Sequence, residues 1–375
     1  MHRALFILVI GCAAVVDAQH SDIAIYRSSL GQVTTHNESG AQEEVHHFRR
    51  DFDFWGPPFN VYAGDDPGFR MSGLNPPSGY AGLPGSLTLD LAVLPIHLPG
   101  ATAGNLLFWD GVGDEVDVQP VPIDHTFFLE DAAGTEIGFQ GGIARFEGLV
   151  AGVTDTNGGM HEHLTFAVDN GGAEPEVGFY MMGWQLSADG YETSELTTVV
   201  LSTPSIPFEV EQQFDMWLQS QVDTITLAGD FDDNGEYELA DIDALVASIA
   251  SGADDPVFDL TGDGVTDRDD LDFWREIAGV ALNDSLGPVL VGDADLNGVV
   301  DGQDFIAWNN NKFTSLASWS GGDFNADGLV DGQDFVAWNT SKFQAADAIA
   351  TVPEPAGSVI ALACWFAVTS LRRRK

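Results

Sequence analysis

The sequence predicts an N-terminal antiparallel β-sandwich or jelly roll, followed by small α-helical modules and flanked by two apolar end segments. Two observations lead to this fold class. Between residues 49 and 228, short apolar stretches such as SLTLDLAVLPIHL alternate with turns rich in Gly, Pro, Asn and Asp, and about eight strands of this kind are typical of a sandwich. From residue 229 onward, an acidic twelve-residue sequence occurs four times. Each copy is followed by apolar residues at helical spacing.

The repeated sequence has the ligand pattern of a calcium loop. Positions one, three, five, nine and twelve carry oxygen-bearing side chains, position six is Gly, and position seven offers a backbone carbonyl. Calcium takes six to eight oxygen ligands, and the glycine permits the sharp turn around them. The predicted ligands of the four loops are Asp230, Asp232, Asn234, Glu236, Glu238 and Asp241; Asp259, Thr261, Asp263, Val265, Asp267 and Asp270; Asp293, Asp295, Asn297, Val299, Asp301 and Asp304; and Asp323, Asn325, Asp327, Leu329, Asp331 and Asp334.

The spacing of the loops predicts two pairs, which span residues 229–282 and 291–345. Loops one and two start 29 residues apart, loops three and four start 30 apart, and the gap between the pairs is 34. Thr261 replaces a carboxylate or amide, so we expect loop two to bind most weakly. Position eight is apolar or β-branched in every loop, which predicts a short strand bridge between paired loops.

No helix is predicted to enter the third and fourth loops. The sequence SLGPVLVG precedes Asp293, SWSGG precedes Asp323, and position twelve is always Asp. This combination resembles the dockerin type I family over residues 229–344. The resemblance implies calcium-dependent folding and paired helices that bind cohesin domains. At positions ten and eleven, Gly302-Gln303 and Gly332-Gln333 stand where the family usually has hydroxyl pairs.

The N-terminal end predicts export. In residues 1–18, Arg3 precedes an apolar run and Val16-Asp17-Ala18 offers a small-residue cleavage site, as in a signal peptide. The sequence Val9-Ile10-Gly11-Cys12 leaves a lipoprotein signal open as an alternative. Residues 19–48 are polar and weakly patterned, and we expect a flexible lead-in.

The C-terminal end, residues 352–375, has three parts in order. Pro353, Glu354 and Pro355 are followed by an apolar run over 356–371, predicted to be a transmembrane segment, and then by four basic residues. This order resembles the PEP-CTERM sorting signal. The resemblance implies recognition by an exosortase-type sorting enzyme. A plain membrane anchor is the alternative.

Composition limits the classes of partner. The formal net charge is −44, and nucleic acid is excluded because phosphate binding needs clustered Lys and Arg. The carboxylates of the loop region should repel one another and loosen it without calcium. Both cysteines, Cys12 and Cys364, lie in the end segments, so no disulfide framework is expected.

The predicted sandwich offers one chemically suggestive cluster. His161 and His163 alternate on a strand, so both imidazoles could bind one metal ion while Glu162 points away. A polar strand edge is the alternative, and His97 or His125 could complete a site if the fold brings it near. No catalytic residue is predicted. The aromatic side chains of Trp55, Trp109 and Trp184 could stack on sugars or lie in the core.

These patterns together predict an exported calcium-binding protein of the cell surface or extracellular matrix, with a structural or adhesive rather than enzymatic role. The matrix association is implied by the PEP-CTERM resemblance. Two alternatives stay open. One is a carbohydrate-active enzyme that docks through its dockerin-like region, and the other is a module that binds polysaccharide without cleaving it.

Overall fold

The computed structural model describes residues 22–37, 44–71, 73–221, 224–283 and 287–346. Within these ranges the chain is mainly β, which confirms the coarse fold prediction. The strands are β1 (Ile23–Arg27), β2 (Val33–Asn37), β3 (His47–Asp51), β4 (Asp53–Trp55), β5 (Val61–Gly64), β6 (Phe69–Arg70), β7 (Thr88–Leu94), β8 (Ile96–His97), β9 (Leu107–Trp109), β10 (Gln119–Pro120), β11 (Thr126–Glu130), β12 (Glu136–Phe139), β13 (Phe146–Val153), β14 (His161–Glu162), β15 (Thr165–Asp169), β16 (Phe179–Ser187), β17 (Thr197–Ser202) and β18 (Thr226–Leu227). The helices are α1 (Phe208–Gln221), α2 (Leu239–Ser251), α3 (Arg268–Asn283), α4 (Gly302–Asn311) and α5 (Gly332–Ser341).

The strands form four sheets. The largest has seven strands, in the order β10-β9-β16-β17-β3, with β7 on β16 and β13 on β7. The others have the orders β12-β11-β15-β5-β4, β14-β6-β1-β2 and β18-β8. Most neighbours are antiparallel, whereas β1 with β6 and β17 with β3 are parallel pairs.

The seven-stranded sheet is buried on both faces. Tyr180 and Trp184 of β16 point into a core that also holds Phe127 of β11. On the other face, Phe179 stacks on Phe214 of α1, with ring centroids 4.1 Å apart. Because α1 covers this outer face, β16 has apolar residues at consecutive positions instead of alternating with polar ones.

The predicted flexible lead-in, residues 19–48, is corrected over its described part. Residues 22–37 form β1 and β2, and the side chains of Ile23 and Ile25 are fully buried. The stretch is short, and its burial depends on pairing with β6, about 45 residues away along the chain. Its order therefore comes from a distant partner and not from a local signal.

Helix α1 follows β17 in the chain and packs on the large sheet. The structure shows a helix from Phe208 to Gln221. Phe214 and Leu218, four residues apart, are its buried side chains. This spacing gives a helix one apolar stripe, which packs on the large sheet.

The helices of the loop region pair as the spacing predicts, α2 with α3 and α4 with α5. Both pairs share one apolar core that includes Ile242, Trp274 and Trp319. Asp243 accepts hydrogen bonds from the backbone N–H (2.9 Å) and the hydroxyl (2.5 Å) of Ser320, which joins the two pairs. The four loops are therefore one packed unit.

Loop two is attached directly to the β region. The N–H of Ala103 donates to the Leu260 carbonyl at 2.9 Å, and the Thr102 hydroxyl donates to the Thr261 carbonyl at 2.6 Å. The Nε2 atom of His97 lies 3.0 Å from the Asp259 carbonyl. We call these contacts the loop-two attachment.

The predicted signal peptide (1–18) and the predicted sorting tail (352–375), with its transmembrane segment (356–371), lie outside the described residues. Both cysteines lie there too. In the part of the chain that is described, no helix is both long enough and apolar enough to cross a membrane.

Candidate metal centres

Each loop ends by capping its exit helix. In the third loop, Asp301 at position nine accepts from the N–H of Gln303 at 2.6 Å, and Asp304 at position twelve accepts from the N–H of Asp301 at 2.7 Å. Because Asp301 also accepts from the N–H of Asp304, these two residues form a capping box, and α2 and α5 begin with one too. Helix capping therefore accounts for the acids at positions nine and twelve without any metal ion.

The second oxygen of position twelve reaches back across the loop. Asp304 accepts from the N–H of Ala294, at position two, at 2.7 Å. Loops one and four make the same bond. In loop two, Asp270 accepts instead from Thr261, at position three. Loop two therefore differs from the other three loops. The carbonyls of Leu260 and Thr261, next to the N–H that bonds to Asp270, accept the hydrogen bonds of the loop-two attachment.

The carboxylate at position one lies at the centre of each loop and accepts from the N–H groups of positions five and six. The side chains of Asp230, Asp259, Asp293 and Asp323 are nearly fully buried. In loop three, Asp293 accepts from Asn297 at 3.2 Å and from Gly298 at 2.8 Å. Helix capping does not require an acid here, because position one lies eight residues before the helix cap.

Burial opposes ionisation of Asp230, Asp293 and Asp323. It raises the pKa of Asp293 to about 7 and the pKa values of Asp230 and Asp323 to about 6, although loop N–H groups lower each of them. Burial also raises the pKa of Asp241, Asp270, Asp304 and Asp334 at position twelve. A bound cation would offset the cost of holding these carboxylates charged near neutral pH.

Three further features shape the loops. Position four has a left-handed backbone even where it is not glycine, with φ of 55° at Leu296 and 56° at Ala326. Position six is glycine with φ between 78° and 86° in all four loops. The position-five oxygen accepts from the N–H of position seven in each loop. This turn directs the loop oxygens toward one centre.

In loops one and three, the acids at positions one, three and twelve converge. One carboxylate oxygen from each of Asp230, Asp232 and Asp241 lies within 4.8 Å of the other two, and Asp293, Asp295 and Asp304 form the same arrangement. Carboxylates and carbonyls at such distances are the ligands that calcium prefers. Glu238 receives a bond of 3.1 Å from the Asn234 side chain, which places position nine beside position five.

Loops three and four are related by reciprocal contacts. The indole N–H of Trp308 donates to the Asp331 carbonyl at 2.7 Å, and that of Trp338 donates to the Asp301 carbonyl at 3.0 Å. Phe305 and Phe335 complete a four-ring cluster. The aromatic rings of α4 and α5 therefore pack against one another across this pair.

The expected bridge between paired loops at position eight is wrong. Val330 of loop four pairs with Thr314, which follows α4. Val300 of loop three bonds to Phe343 and Gln344, which follow α5. Each loop is thus joined to the segment after its partner's helix and not to the partner loop.

The two histidines predicted to share a strand face do so. The Nε2 atoms of His161 and His163 are 3.1 Å apart. His97 and His125 lie elsewhere, on Asp259 and Asp124. The residue that joins the pair is Asp22, which precedes β1. Sequence reasoning missed it because it lies in the segment predicted to be flexible.

The three tryptophans considered for sugar stacking separate into two groups. Trp109 and Trp184 are buried in the cores around the large sheet. Trp55 is 38% exposed, and its ring centroid lies 6.4 Å from that of Phe59, which is 48% exposed. Of these tryptophans, Trp55 is the one that a ligand can reach.

Comparisons with known proteins give no family. No protein-family model matches the chain, and no curated protein matches it. The adhesive subunit CfaE of the CFA/I fimbria of enterotoxigenic Escherichia coli is similar over 50% of this chain and 49% of its own, with 11% identity and a TM-score of 0.22. A family 123 glycoside hydrolase from Clostridium perfringens is similar over 42% of this chain and 22% of its own, with 6% identity and a TM-score of 0.15. Both TM-scores are too low to indicate a shared fold.

Proposed function

We propose that this chain is a calcium-binding structural protein, in which bound ions stabilise the four-loop unit beside the β region. The observation that carries the proposal is the set of buried carboxylates at position one. Asp230, Asp293 and Asp323 lie where burial raises their pKa to about 6 or 7, yet each has other carboxylates close to it. A divalent cation with oxygen ligands is the partner that suits this arrangement.

The finer assignments belong to the same proposal. Residues 229–345 act as a dockerin-like unit, and the β region as an antiparallel sandwich or jelly roll. The protein is exported and sorted through Pro353, Glu354 and Pro355 by an exosortase-type enzyme, with membrane attachment through residues 356–371. Its role at the cell surface or in the matrix is structural or adhesive. A cohesin-like or surface partner would bind the exposed helix faces.

Calcium titration with a matched chelation experiment tests the proposal. We expect calorimetry on the full chain to show several calcium equivalents and EDTA to lower the helical circular dichroism signal, because metal affinity is coupled to folding of the loops. Magnesium at equal concentration is the control ion, since it demands a smaller octahedral site. Unchanged helix signal with EDTA, together with no calcium uptake, would contradict it.

Glycan binding is the second candidate, favoured by the exposed ring of Trp55 beside Phe59. Aromatic rings that protrude beside one another suit the apolar faces of sugars. Trp55→Ala should lower the affinity for a polysaccharide that the intact chain retains in affinity electrophoresis. Ile123→Ala, at an apolar residue that is 86% exposed, is the matched control. Equal retention of both variants would argue against this site.

A further inference from the structure

A cluster far along the chain from the calcium loops combines two imidazoles and one carboxylate. Asp22 precedes β1, His161 belongs to β14, and His163 follows it. Strand β6 lies between β1 and β14 in the four-stranded sheet. The sheet therefore brings together residues about 140 positions apart.

The ligand atoms of this cluster face one another. The Nε2 atom of His161 lies 3.0 Å from Asp22 Oδ2 and 3.1 Å from His163 Nε2, and His163 Nε2 lies 3.7 Å from Asp22 Oδ1. In a tetrahedral zinc site with bonds of about 2.0–2.1 Å, neighbouring ligand atoms are about 3.3 Å apart. The three separations are close to this value, and the two that involve Asp22 use different oxygens of its carboxylate. One ligand atom from each of the three residues lies within 4.8 Å of the other two.

The other nitrogen of His163 is held by the protein. Its Nδ1 lies 2.8 Å from the Asp65 carbonyl and 3.4 Å from Asp66 Oδ1. A ring that donates from Nδ1 presents the Nε2 lone pair toward Asp22 and His161. Metal-binding histidines are commonly oriented by an outer hydrogen bond of this kind.

A close backbone approach also fixes the ring of His163. A Cβ added at Gly68 would lie 2.8 Å from two ring atoms of His163 and from the Glu162 carbonyl. The absence of a side chain at this position lets the imidazole lie against the backbone. The ring is therefore positioned before any ligand arrives.

The cluster is open on one side. The Asp22 side chain is fully buried, whereas the side chains of His163 and His161 are 24% and 45% exposed. An ion held by the three groups would face solvent beyond the imidazoles, which leaves a position for water or a further ligand. Two imidazoles with one carboxylate suit zinc and similar transition metals, whereas calcium prefers oxygen alone.

We propose that Asp22, His161 and His163 form a binding site for one divalent transition-metal ion of the zinc class. The site is independent of the calcium loops.

Zinc binding to the full chain in excess calcium tests this site, since calcium keeps the loops occupied. A chromophoric chelator competing for Zn²⁺ should report one tight equivalent. His161→Gln and His163→Asn should each weaken it at least about tenfold, and the second variant can keep a donor near the Asp65 carbonyl. Co²⁺ in place of Zn²⁺ should give the intense visible bands of four-coordinate cobalt, which both variants should lose.

His125→Gln is the matched control, because both nitrogens of His125 already have protein partners in Asp124 and the N–H of Glu176. It should bind zinc as the unaltered chain does. His161 is the most exposed ligand, so its variant should fold, and an unchanged β signal in circular dichroism checks this. No zinc uptake by the unaltered chain, or one equivalent retained by the His161→Gln/His163→Asn double variant, would overturn the proposal.

Discussion

Asp304 uses both oxygens of one carboxylate to hold two segments of loop three, the N–H of Ala294 and the N–H of Asp301. The Asp301 side chain caps the helix near the surface, where it accepts from the N–H groups of Gln303 and Asp304. Removing the buried Asp304 carboxylate leaves the buried N–H of Ala294 unsatisfied, whereas water can replace much of a lost surface cap. Removing the Asp304 carboxylate should therefore destabilise loop three more than removing the Asp301 carboxylate.

Asp304→Ala should lower the free energy of unfolding of the loop unit by about 2–4 kcal/mol in calcium, and Asp301→Ala by about 1 kcal/mol. Urea unfolding followed by circular dichroism measures both, and calorimetry should show the larger loss of calcium affinity for Asp304→Ala. Equal effects of the two variants would contradict the assignment of position twelve as the stronger ligand.

The ion-free loops should be less stable at higher pH. Asp293 has a folded-state pKa of about 7, and Asp230 and Asp323 have values of about 6, all above the unfolded value of about 3.9. The folded state therefore binds protons more tightly. Its added stability is complete below about pH 4 and is lost as pH rises through the folded pKa values.

With a chelator present, the unfolding temperature of the helices should fall between about pH 5 and pH 8. Calcium-saturated protein, in which the ions hold the carboxylates charged, is the control and should not show this fall. Thermal melts followed by far-UV circular dichroism would decide. A chelated melting temperature that rises over this range would argue against buried carboxylates at position one.

At the level of elements, α4 and α5 each contact the loop that precedes the other. The indole of Trp308 on α4 bonds to Asp331 in loop four, and the indole of Trp338 on α5 bonds to Asp301 in loop three. A substitution on α4 should therefore perturb loop four, and a substitution on α5 should perturb loop three.

Trp308→Phe keeps an aromatic ring but removes the N–H donor, and it should destabilise the pair by about 1 kcal/mol. Its calcium defect should lie in loop four, whereas Trp338→Phe should affect loop three. Backbone amide NMR shifts of Gly328 and Gly298 during calcium titration can separate the two loops. If each variant perturbs only the loop that precedes its own helix, the reciprocal arrangement is wrong.

The sequence predicted these elements well where the signal is local. Each acidic loop and most of the helix that follows it lie within a window of about twenty residues. The bridge at position eight failed because Phe313 and Phe343 take a left-handed backbone, with φ of 66° and 67°. That turn after each helix sends the chain to the opposite loop, and residue type at position eight does not encode it.

On the scale of the whole molecule, the loop unit meets the β region at loop two and also at loop one, where Arg145 lies over the ring of Tyr237. Gly262 makes the closest approach, because an added Cβ would meet the backbone of Thr102 and lie 2.8 Å from the carbonyl carbon of Ala101. Gly264 has a similar left-handed backbone, φ 86° against 70°, but open space around it. The two glycines differ in what surrounds them.

Gly264→Ala should cost about 1–2 kcal/mol for the left-handed backbone alone. Gly262→Ala should cost more and loosen the loop-two attachment, because the new methyl group displaces the Thr102 segment. We expect differential scanning calorimetry to show the β region and the loop unit unfolding in more clearly separated steps for Gly262→Ala. Identical traces for the two variants would contradict a specific attachment at this point.

The pairing of strands that are distant in the chain could not be predicted from sequence. Turn residues and short apolar stretches indicated a mainly β region, but not that Ile23 and Ile25 complete its core or that Asp22 lies beside His161. These contacts depend on β1 pairing with β6 across a long stretch of chain. No local pattern in residues 19–48 specifies that partner.

In the second loop pair, each loop bonds to the segment that follows its partner's helix. This arrangement affects the order in which the two loops can fold during synthesis. Val300 bonds to Phe343 and Gln344, and the N–H of Ala346 donates to the Gly298 carbonyl. Gly298 in loop three is synthesised before its partner Ala346. Thr314, the partner of Val330, has already been synthesised when loop four leaves the ribosome. Loop four can therefore close its backbone pairing first, and loop three must wait for the residues after α5. A nascent chain that stops at the end of α5 would leave its earlier loop as the incomplete one.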